Sequence, residues 1–372
     1  MKYTLIINAG SSSLKFKLFE SDFNVVAEGI VEKVGLNGSF IDYKIGKNRN
    51  VQTGSVKNHK DAIKKVFILF EQNKLDINSI VKIGHRVVHG GEEFVKPVLI
   101  DNKTLLKIDK YSKLAPLHNP NNIAGIKACQ KLLPKVPNYA VFDTSFHNTI
   151  SDEVFLYPLP LKFYKKHQIR KYGFHGISHQ YATAEAGKKL KKKSPNLITC
   201  HLGSGCSITA IQKGKSIDTS MGFTPLEGLM MMTRSGNIDP AIIFYLMGQG
   251  YSAANIEDVL IDHSGLKGVS GLSDMRDIMI GAGYKIPGYN PDRTFVIDDK
   301  KSAKLALDMF VNRIKKYIGS YSAILEKVDA IVFTGGIGER NKDVRDLIMK
   351  GLPKYKVVVV EADEELMIAK KI

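Results

Sequence analysis

The segment Leu5-Ile6-Ile7-Asn8-Ala9-Gly10-Ser11-Ser12-Ser13-Leu14-Lys15-Phe16 decides the reading of the fold. An apolar run enters a Gly/Ser turn, and the alternating Leu14, Phe16 and Leu18 leave it, the pattern of two strands joined by a tight turn. Small residues in the turn let backbone N–H groups approach an anion, and Lys15 adds a positive charge. The pattern returns at Leu197-Ile198-Thr199-Cys200-His201-Leu202-Gly203-Ser204-Gly205-Cys206-Ser207-Ile208. Two phosphate-sized turns about half a chain apart predict a duplicated α/β fold with a nucleotide between the halves. Either turn alone also fits a plain hairpin.

The familiar nucleotide motifs are absent. Gly214-Lys215-Ser216 ends like a P-loop, but Thr209 stands where the first glycine is required. Gly203-x-Gly205 is followed by Ile208 where a dinucleotide fingerprint needs its third glycine.

The 372 residues suggest roughly two to three domains, and 44% hydrophobic with 24% charged residues fits a globular protein. No apolar run approaches the ~18 residues of a membrane span, and Leu5-Ile6-Ile7 is too short for a signal-peptide core. Three sparse cysteines, Cys129, Cys200 and Cys206, point to a reduced cytoplasmic setting. The net charge of +17 raises the question of nucleic acid. It comes mostly from lysines spread along the chain, and its densest run, Lys188 to Lys193, has no aromatic residue interleaved, so neither a nucleic-acid nor a membrane partner is expected. That run precedes Ser194-Pro195 and reads as a solvated helix end, where cations suit the dipole.

Residues 1–45 read as strands and 60–75 as a helix. Residues 80–91 form a strand running into a glycine turn, 121–133 a helix, and 139–142 a strand ending at Asp143. Further helices are expected at 240–248, 253–263 and 301–325. A strand and glycine turn follow over 330–339, and Val357 to Val360 is a short buried strand. No low-complexity linker interrupts the chain, and a hinge is placed near 145–150.

Several polar side chains fall at strand ends or in glycine turns, where α/β folds put ligands. Arg86 lies in Gly84-His85-Arg86-Val87-Val88-His89-Gly90-Gly91, as a ligand-binding cation or a surface arginine beside a turn. Asp143 ends an apolar strand, as a Mg²⁺ anchor or an Asx-turn or helix cap. His175 and His179 have a zinc-like spacing, but the segment between them lacks a glutamate and no third ligand presents itself. Arg234 sits in a turn ahead of a helix starting near Pro240. Two arginines, a histidine, a carboxylate and two phosphate turns suit phosphoryl transfer, which needs positioning and positive charge more than covalent help.

These segments occur together with Leu114-Ala115-Pro116-Leu117-His118-Asn119-Pro120, Phe142-Asp143-Thr144-Ser145-Phe146-His147, Tyr172-Gly173-Phe174-His175-Gly176-Ile177-Ser178-His179, Thr233-Arg234-Ser235-Gly236-Asn237-Ile238-Asp239-Pro240, Lys316-Tyr317-Ile318-Gly319-Ser320-Tyr321 and Phe333-Thr334-Gly335-Gly336-Ile337-Gly338-Glu339. In this order, over nearly the whole chain, they resemble the acetate kinase family. The resemblance implies two duplicated ribonuclease-H-like domains of the actin, Hsp70 and sugar-kinase type around a nucleotide cleft. It divides the chain into 1–147 with a C-terminal tail 366–372, and 148–365. It implies a homodimer and the reversible reaction ATP + acetate ⇌ ADP + acetyl phosphate, with Mg²⁺ or Mn²⁺.

By the same resemblance Asn8, Ser11, Ser13 and Lys15 would face the ATP phosphates, with Asn8 near the metal. Arg86 and Arg234 would bind the carboxylate and the transferring phosphoryl group, and His175 would hydrogen-bond that group. Asp143 and Glu364, or its neighbour Glu365, would hold Mg²⁺. His201, Leu202, Gly203, Ser204 and Gly205 would contact the β- and γ-phosphates. Asp274, Met275 and Arg276, with Gly335, Gly336, Ile337, Gly338 and Glu339, would hold ribose and adenine. The acyl methyl would meet Val88, Leu117, Phe174 and Pro225. Met232, Arg340, Ser204, Cys206, the 271–276 loop and Glu361-Ala362-Asp363 depart from the usual family pattern, and they cluster on nucleotide contacts. A propionate kinase of the same family, and an Hsp70- or actin-like ATPase, are the alternatives.

Overall fold

A computed structural model describes residues 2–116 and 118–372. Its contacts divide the chain into two units: 1–148 with 176–178 and 363–372, and 149–175 with 179–362. This differs from the sequence reading in three places, the smallest being residue 148, which closes the long segment of the first unit. Residues 176–178 join the first unit because Ile177 is buried in a cluster with Ile6, Phe19 and Val141. Residues 363–365 join it because the helix Glu364–Ala369 packs on the same sheet, adding Ile368 and Ala369 to that cluster.

In the first unit the strands are β1 (Tyr3–Ala9), β2 (Ser13–Phe19), β3 (Val25–Glu32), β4 (Phe40–Ile45), β5 (Asn48–Thr53), β6 (Ile80–Val87), β7 (Val98–Leu99) and β8 (Asn138–Phe142). Among the described residues they form one sheet in the order β5-β4-β3-β2-β1-β6-β8-β7. Every residue of β1 is buried, as a continuous apolar run predicts for a strand covered on both faces. Leu5 and Ile7 face a core completed by Ala62, Val66 and Phe70 of helix His59–Gln72 and Ala128 and Cys129 of helix Asn119–Leu132. Ile6 faces the cluster built on the Glu364–Ala369 helix. The Asn58 side chain starts helix His59–Gln72 by accepting from the Asp61 N–H at 3.0 Å.

In the second unit β9 (Leu197–Leu202), β10 (Cys206–Gln212), β11 (Lys215–Thr219), β12 (Ala330–Thr334) and β13 (Val357–Val359) are ordered β11-β10-β9-β12-β13. The pairings run antiparallel, antiparallel, parallel, parallel. The same four pairings in the same sequence join β3-β2-β1-β6-β8. The duplication expected from the two turns is therefore a repeat of the whole five-stranded core. Helix Ile297–Ile324 covers the second sheet with Ala303, Ala306, Leu307, Phe310, Ile314, Ile318 and Tyr321, one apolar stripe at helical spacing.

The sequence reading is corrected in details. Gly335–Arg340 is a short helix rather than an open turn, begun by Gly335 at φ 75°. Only Val358 of β13 is buried, because β13 is the edge of its sheet. Gly214-Lys215-Ser216 belongs to the β10–β11 hairpin.

Candidate active site

The parallel neighbours β1, β6 and β8 end side by side, and each delivers one polar group there: Asn8, Arg86 and, just past β8, Asp143. This is the carboxyl edge of a parallel sheet, where α/β folds bind ligands. Arg86 Nη1 donates to Asn8 Oδ1 at 3.1 Å. Its Nε donates to Asp143 Oδ2 at 3.1 Å, and its Nη2 contacts the same oxygen. Glu364 Oε2 lies 3.7 Å from Arg86 Nε. Asn8 Nδ2 donates to Glu365 Oε1 at 3.0 Å and to Glu364 Oε2 at 3.4 Å. The two glutamates that sequence left as alternatives thus both reach the cluster.

One guanidinium faces three carboxylates here. Asp143 is 1% exposed, and its second oxygen, Oδ1, is buried with no hydrogen-bond partner. Burial pushes the Asp143 carboxyl above its ordinary value against the pull of Arg86, and Glu364 adds to the push. Arg86 is held above its ordinary value: burial opposes its charge, and Asp143, Glu364 and Glu365 outweigh that. A buried acceptor without a donor, in an oxygen-rich cluster, is what a hard divalent cation satisfies. Among the described residues no group of three or more His, Cys, Asp or Glu converges as a closed metal cage. Mg²⁺ does not need one, since it usually takes one or two carboxylates, substrate phosphates and water.

The adjoining β1–β2 turn closes through Gly10 N–H to Ser13 O at 2.8 Å, and His59 Nε2 braces Gly10 O at 2.7 Å. Ser11 and Lys15 are exposed on it, and Ser13 is half-buried. Asn122 is a contributor that the sequence reading missed. Its Nδ2 donates to Ala9 O at 2.7 Å and its Oδ1 accepts from Val88 N–H at 3.1 Å, so it ties the end of β1 to the residues after β6. Val88 itself is buried. Leu117 lies outside the described residues.

In the second unit the equivalent turn closes through Gly203 N–H to Gly205 O at 3.1 Å. Leu202 is buried beneath it, Ser204 is exposed, and His201, Gly203 and Gly205 are half-buried. His175 stands over this turn in a left-handed conformation (φ 55°), at the start of helix Gly176–Leu190. Its ring centroid is 4.3 Å from that of His201, and its Nδ1 meets Ser207 Oγ at 3.0 Å. A Cβ on Gly205 would sit 3.2 Å from His175 Cε1 and 3.6 Å from Arg234 Nη1. The histidine, the glycine turn and the arginine, some thirty residues apart in sequence, are therefore one constellation. Arg234 Nη1 donates to Pro225 O at 3.3 Å, and among the described residues no carboxylate pairs with it. Burial draws its guanidinium below the ordinary value. Phe174 is buried and Pro225 half-buried in this unit.

The remaining predicted contacts have local work. Asp274 caps helix Met275–Gly281 through Arg276 N–H at 2.7 Å and pairs with the Arg276 guanidinium at 2.6 Å. Met275 is buried, and the Arg276 guanidinium lies 4.2 Å from the Tyr289 ring centroid. Gly335 and Gly338 pack on Leu202, where a Cβ at Gly335 would meet Leu202 O at 2.8 Å. Gly336 is exposed, Ile337 is half-buried, and Glu339 Oε2 accepts from Ala362 N–H at 2.8 Å.

Three comparisons bear on this arrangement. The model of the acetokinase family matches residues 3–371. The acetate kinase of Thermoanaerobacterium thermosaccharolyticum is 46% identical over 98% of this chain and 97% of its own. Among solved structures, a propionate kinase from Francisella tularensis superposes with a TM-score of 0.91 at 39% identity, over 100% of this chain and 99% of the other. The acetate kinase of Porphyromonas gingivalis does so at 0.87 and 38%, over 100% and 98%. The chain belongs to the acetokinase family.

Proposed function

We propose that this chain transfers the terminal phosphoryl group of ATP to acetate, reversibly, giving acetyl phosphate and ADP. The observation that carries the reading is the pair of constellations, Arg86 with Asp143, Asn8 and the two glutamates, and His175 with Gly205 and Arg234. Acetate is ionised at neutral pH, with a pKa of ~4, so it needs no general base. One of its oxygens bonds to the γ-phosphorus in line as the bond from phosphorus to the β–γ bridging oxygen breaks. That oxygen keeps the electron pair and leaves with ADP. What the protein must supply is alignment and charge on the equatorial oxygens.

Arg86 and Arg234 bind the carboxylate and the group in flight, and His175 donates a hydrogen bond to that group. Ser11, Ser13, Lys15 and the 201–205 turn hold the phosphates, and residues 274–276 and 335–339 hold ribose and adenine. Asp143, Asn8 and Glu364 suit Mg²⁺ best, through the unpartnered Asp143 Oδ1, and Mn²⁺ accepts the same oxygen donors. The ion, once bound, offsets phosphate charge. We also read the enzyme as a cytoplasmic homodimer. Three buried free thiols support a reducing compartment. Helix Ala241–Gly248 supports a second copy: it is apolar along its length, with Phe244 72% and Tyr245 67% exposed. Each such ring offers up to ~150–250 Å² to cover, and sedimentation at micromolar concentration as a monomer would remove the dimer.

Propionate is the second reading, favoured by the Francisella tularensis match. One methylene shifts discrimination by only ~1–3 kcal/mol. The test is acyl-phosphate formation trapped with hydroxylamine, from MgATP and acetate, propionate or butyrate. Acetate-dependent product is expected, and the ratio across the three acids assigns chain length. Steady ATP hydrolysis with no acyl phosphate would replace the kinase by an ATPase.

A further inference from the structure

A half-buried cluster in the second unit, Tyr157, Glu227 and Lys171, has no part in the transfer described above, and it closes the 222–227 loop. Tyr157 Oη donates to Glu227 Oε2 and accepts from the Phe223 N–H at 2.8 Å, so one hydroxyl ties the start of the loop to its end. The Glu227 carboxylate folds back over Gly222. A Cβ there would collide with Glu227 Oε2 and Tyr157 Oη, so only a glycine leaves room for this clasp. Burial pushes the Tyr157 hydroxyl above its ordinary value and Glu227 adds to the push, so the phenol keeps the proton it donates. Lys171 supplies the counter-charge. Its Nζ lies 3.9 Å from Glu227 Oε1 and 3.3 Å from Asp218 Oδ1, and it donates to Thr219 O at 2.9 Å.

The loop is bonded to functional segments along its whole length. At its start, Gly222 O accepts from the N–H groups of Tyr172 at 3.0 Å and Gly173 at 3.2 Å, the two residues that lead into Phe174 and His175. The Tyr172 and Phe223 rings pack with centroids 6.3 Å apart. In its middle, Pro225 O accepts from Arg234 Nη1 at 3.3 Å. Just past its end, Gly228 N–H donates to Asn237 Oδ1 at 2.7 Å and Gly228 O accepts from Asn237 N–H at 3.0 Å, a little beyond Arg234 in the chain. One short loop thus joins the segment carrying His175 to the segment carrying Arg234, and Pro225 rides on it.

We propose that Tyr157 and Glu227 are positioning residues: their hydrogen bond closes the 222–227 loop, fixes Pro225 against Arg234, and so sets how large an acyl group the site accepts. This rests on the kinase reading above, in which Phe174 and Pro225 meet the acyl methyl and Arg234 binds the carboxylate. A pocket wall that yields takes in a further methylene, whereas a wall held by its own hydrogen bonds resists it.

Native-state hydrogen exchange of the ¹⁵N-labelled full chain, without substrates, reads the clasp directly. Tyr157→Phe removes the hydroxyl and keeps the ring. Exchange at the Phe223, Tyr172 and Gly173 amides is expected to quicken by about tenfold or more. Faster exchange at Phe223 alone, or at none of the three, would overturn the proposal, because the loop would then hold without its clasp. In turnover the same variant is expected to raise KM for acetate by about tenfold and the propionate-to-acetate ratio of kcat/KM by about threefold or more, with KM for ATP unchanged. An unmoved ratio and acetate KM, or a KM for ATP that rises in parallel, would also overturn it. Glu227→Gln keeps an acceptor for the phenol and is expected to behave as wild type, while Glu227→Leu is expected to reproduce Tyr157→Phe. Equal impairment in the two Glu227 variants would overturn the clasp in favour of a role for the charge alone. A wild-type chain that makes no acyl phosphate would sink the kinase reading, while the exchange rates still decide whether the clasp holds the loop.

Discussion

The two strand–turn–strand segments stand on the same five-stranded core but are furnished in opposite ways. Beside the β1–β2 turn lies a charged cluster, one arginine against Asp143, Glu364 and Glu365, with a carboxylate oxygen left unpartnered. Beside the β9–β10 turn lies a chain of imidazoles and hydroxyls, with one half-buried arginine, Arg234, that forms no ion pair with a carboxylate among the described residues. The first is short of positive charge and the second of negative charge. A repeated scaffold has thus been specialised at its strand ends alone: one copy is arranged for a cation, the other for an anion.

The comparison breaks most sharply at Arg234. Arg234→Ala removes the only guanidinium of the second constellation, and turnover is expected to fall by ~10³–10⁵ with the far-UV circular dichroism unchanged. Near-normal kcat in a folded variant would take Arg234 out of catalysis. Asp143→Asn keeps the shape of the first constellation but removes a charge. The Mg²⁺ concentration for half-maximal activity is expected to rise by ~10–100-fold. Metal titrations that coincide with wild type would leave Asp143 as a structural partner of Arg86.

The smallest effect is on stability. Burial holds His85 down to about 4 and His89 to about 3, so both are neutral in the native first unit. Unfolded, each titrates near its ordinary value of about 6.5. Below that value the unfolded chain binds more protons, and stability falls with acidification by ~1.4 kcal/mol per pH unit per histidine until the native value is reached. The loss should continue from near pH 6.5 to about 4 for His85 and about 3 for His89. Denaturant melts over this range should shrink on removing either ring, and pH-independent midpoints would show that neither is buried neutral.

The fold was legible where apolar runs met Gly/Ser turns, since β1 carries Leu5-Ile6-Ile7 and β9 opens on Leu197-Ile198 ahead of such a turn. The β5 strand was not, because Asn48–Thr53 is exposed at every position and shows no alternation. Gly335–Arg340 read as a turn, because three glycines disguise a helix that tertiary packing on Leu202 enforces. In the site, side chains on the motif segments were visible as residue types. The partners that hold them were not. Asn122, Thr199 and Ser207 act through contacts across about ten to more than a hundred residues, and nothing local in a buried Asn, Thr or Ser distinguishes a brace from ordinary core.

The helix Glu364–Ala369 carries a consequence for biosynthesis. Ile368 and Ala369 cover Ile6 of β1, and Glu365 holds Asn8, yet more than two hundred residues separate them from the end of the first long segment of that unit. At ~5–20 residues per second, a ribosome leaves that face of β1 without its helix for on the order of ten to forty seconds. The nascent first unit must therefore wait, with β1 half-covered, for residues 363–372 to be made before its charged cluster can close.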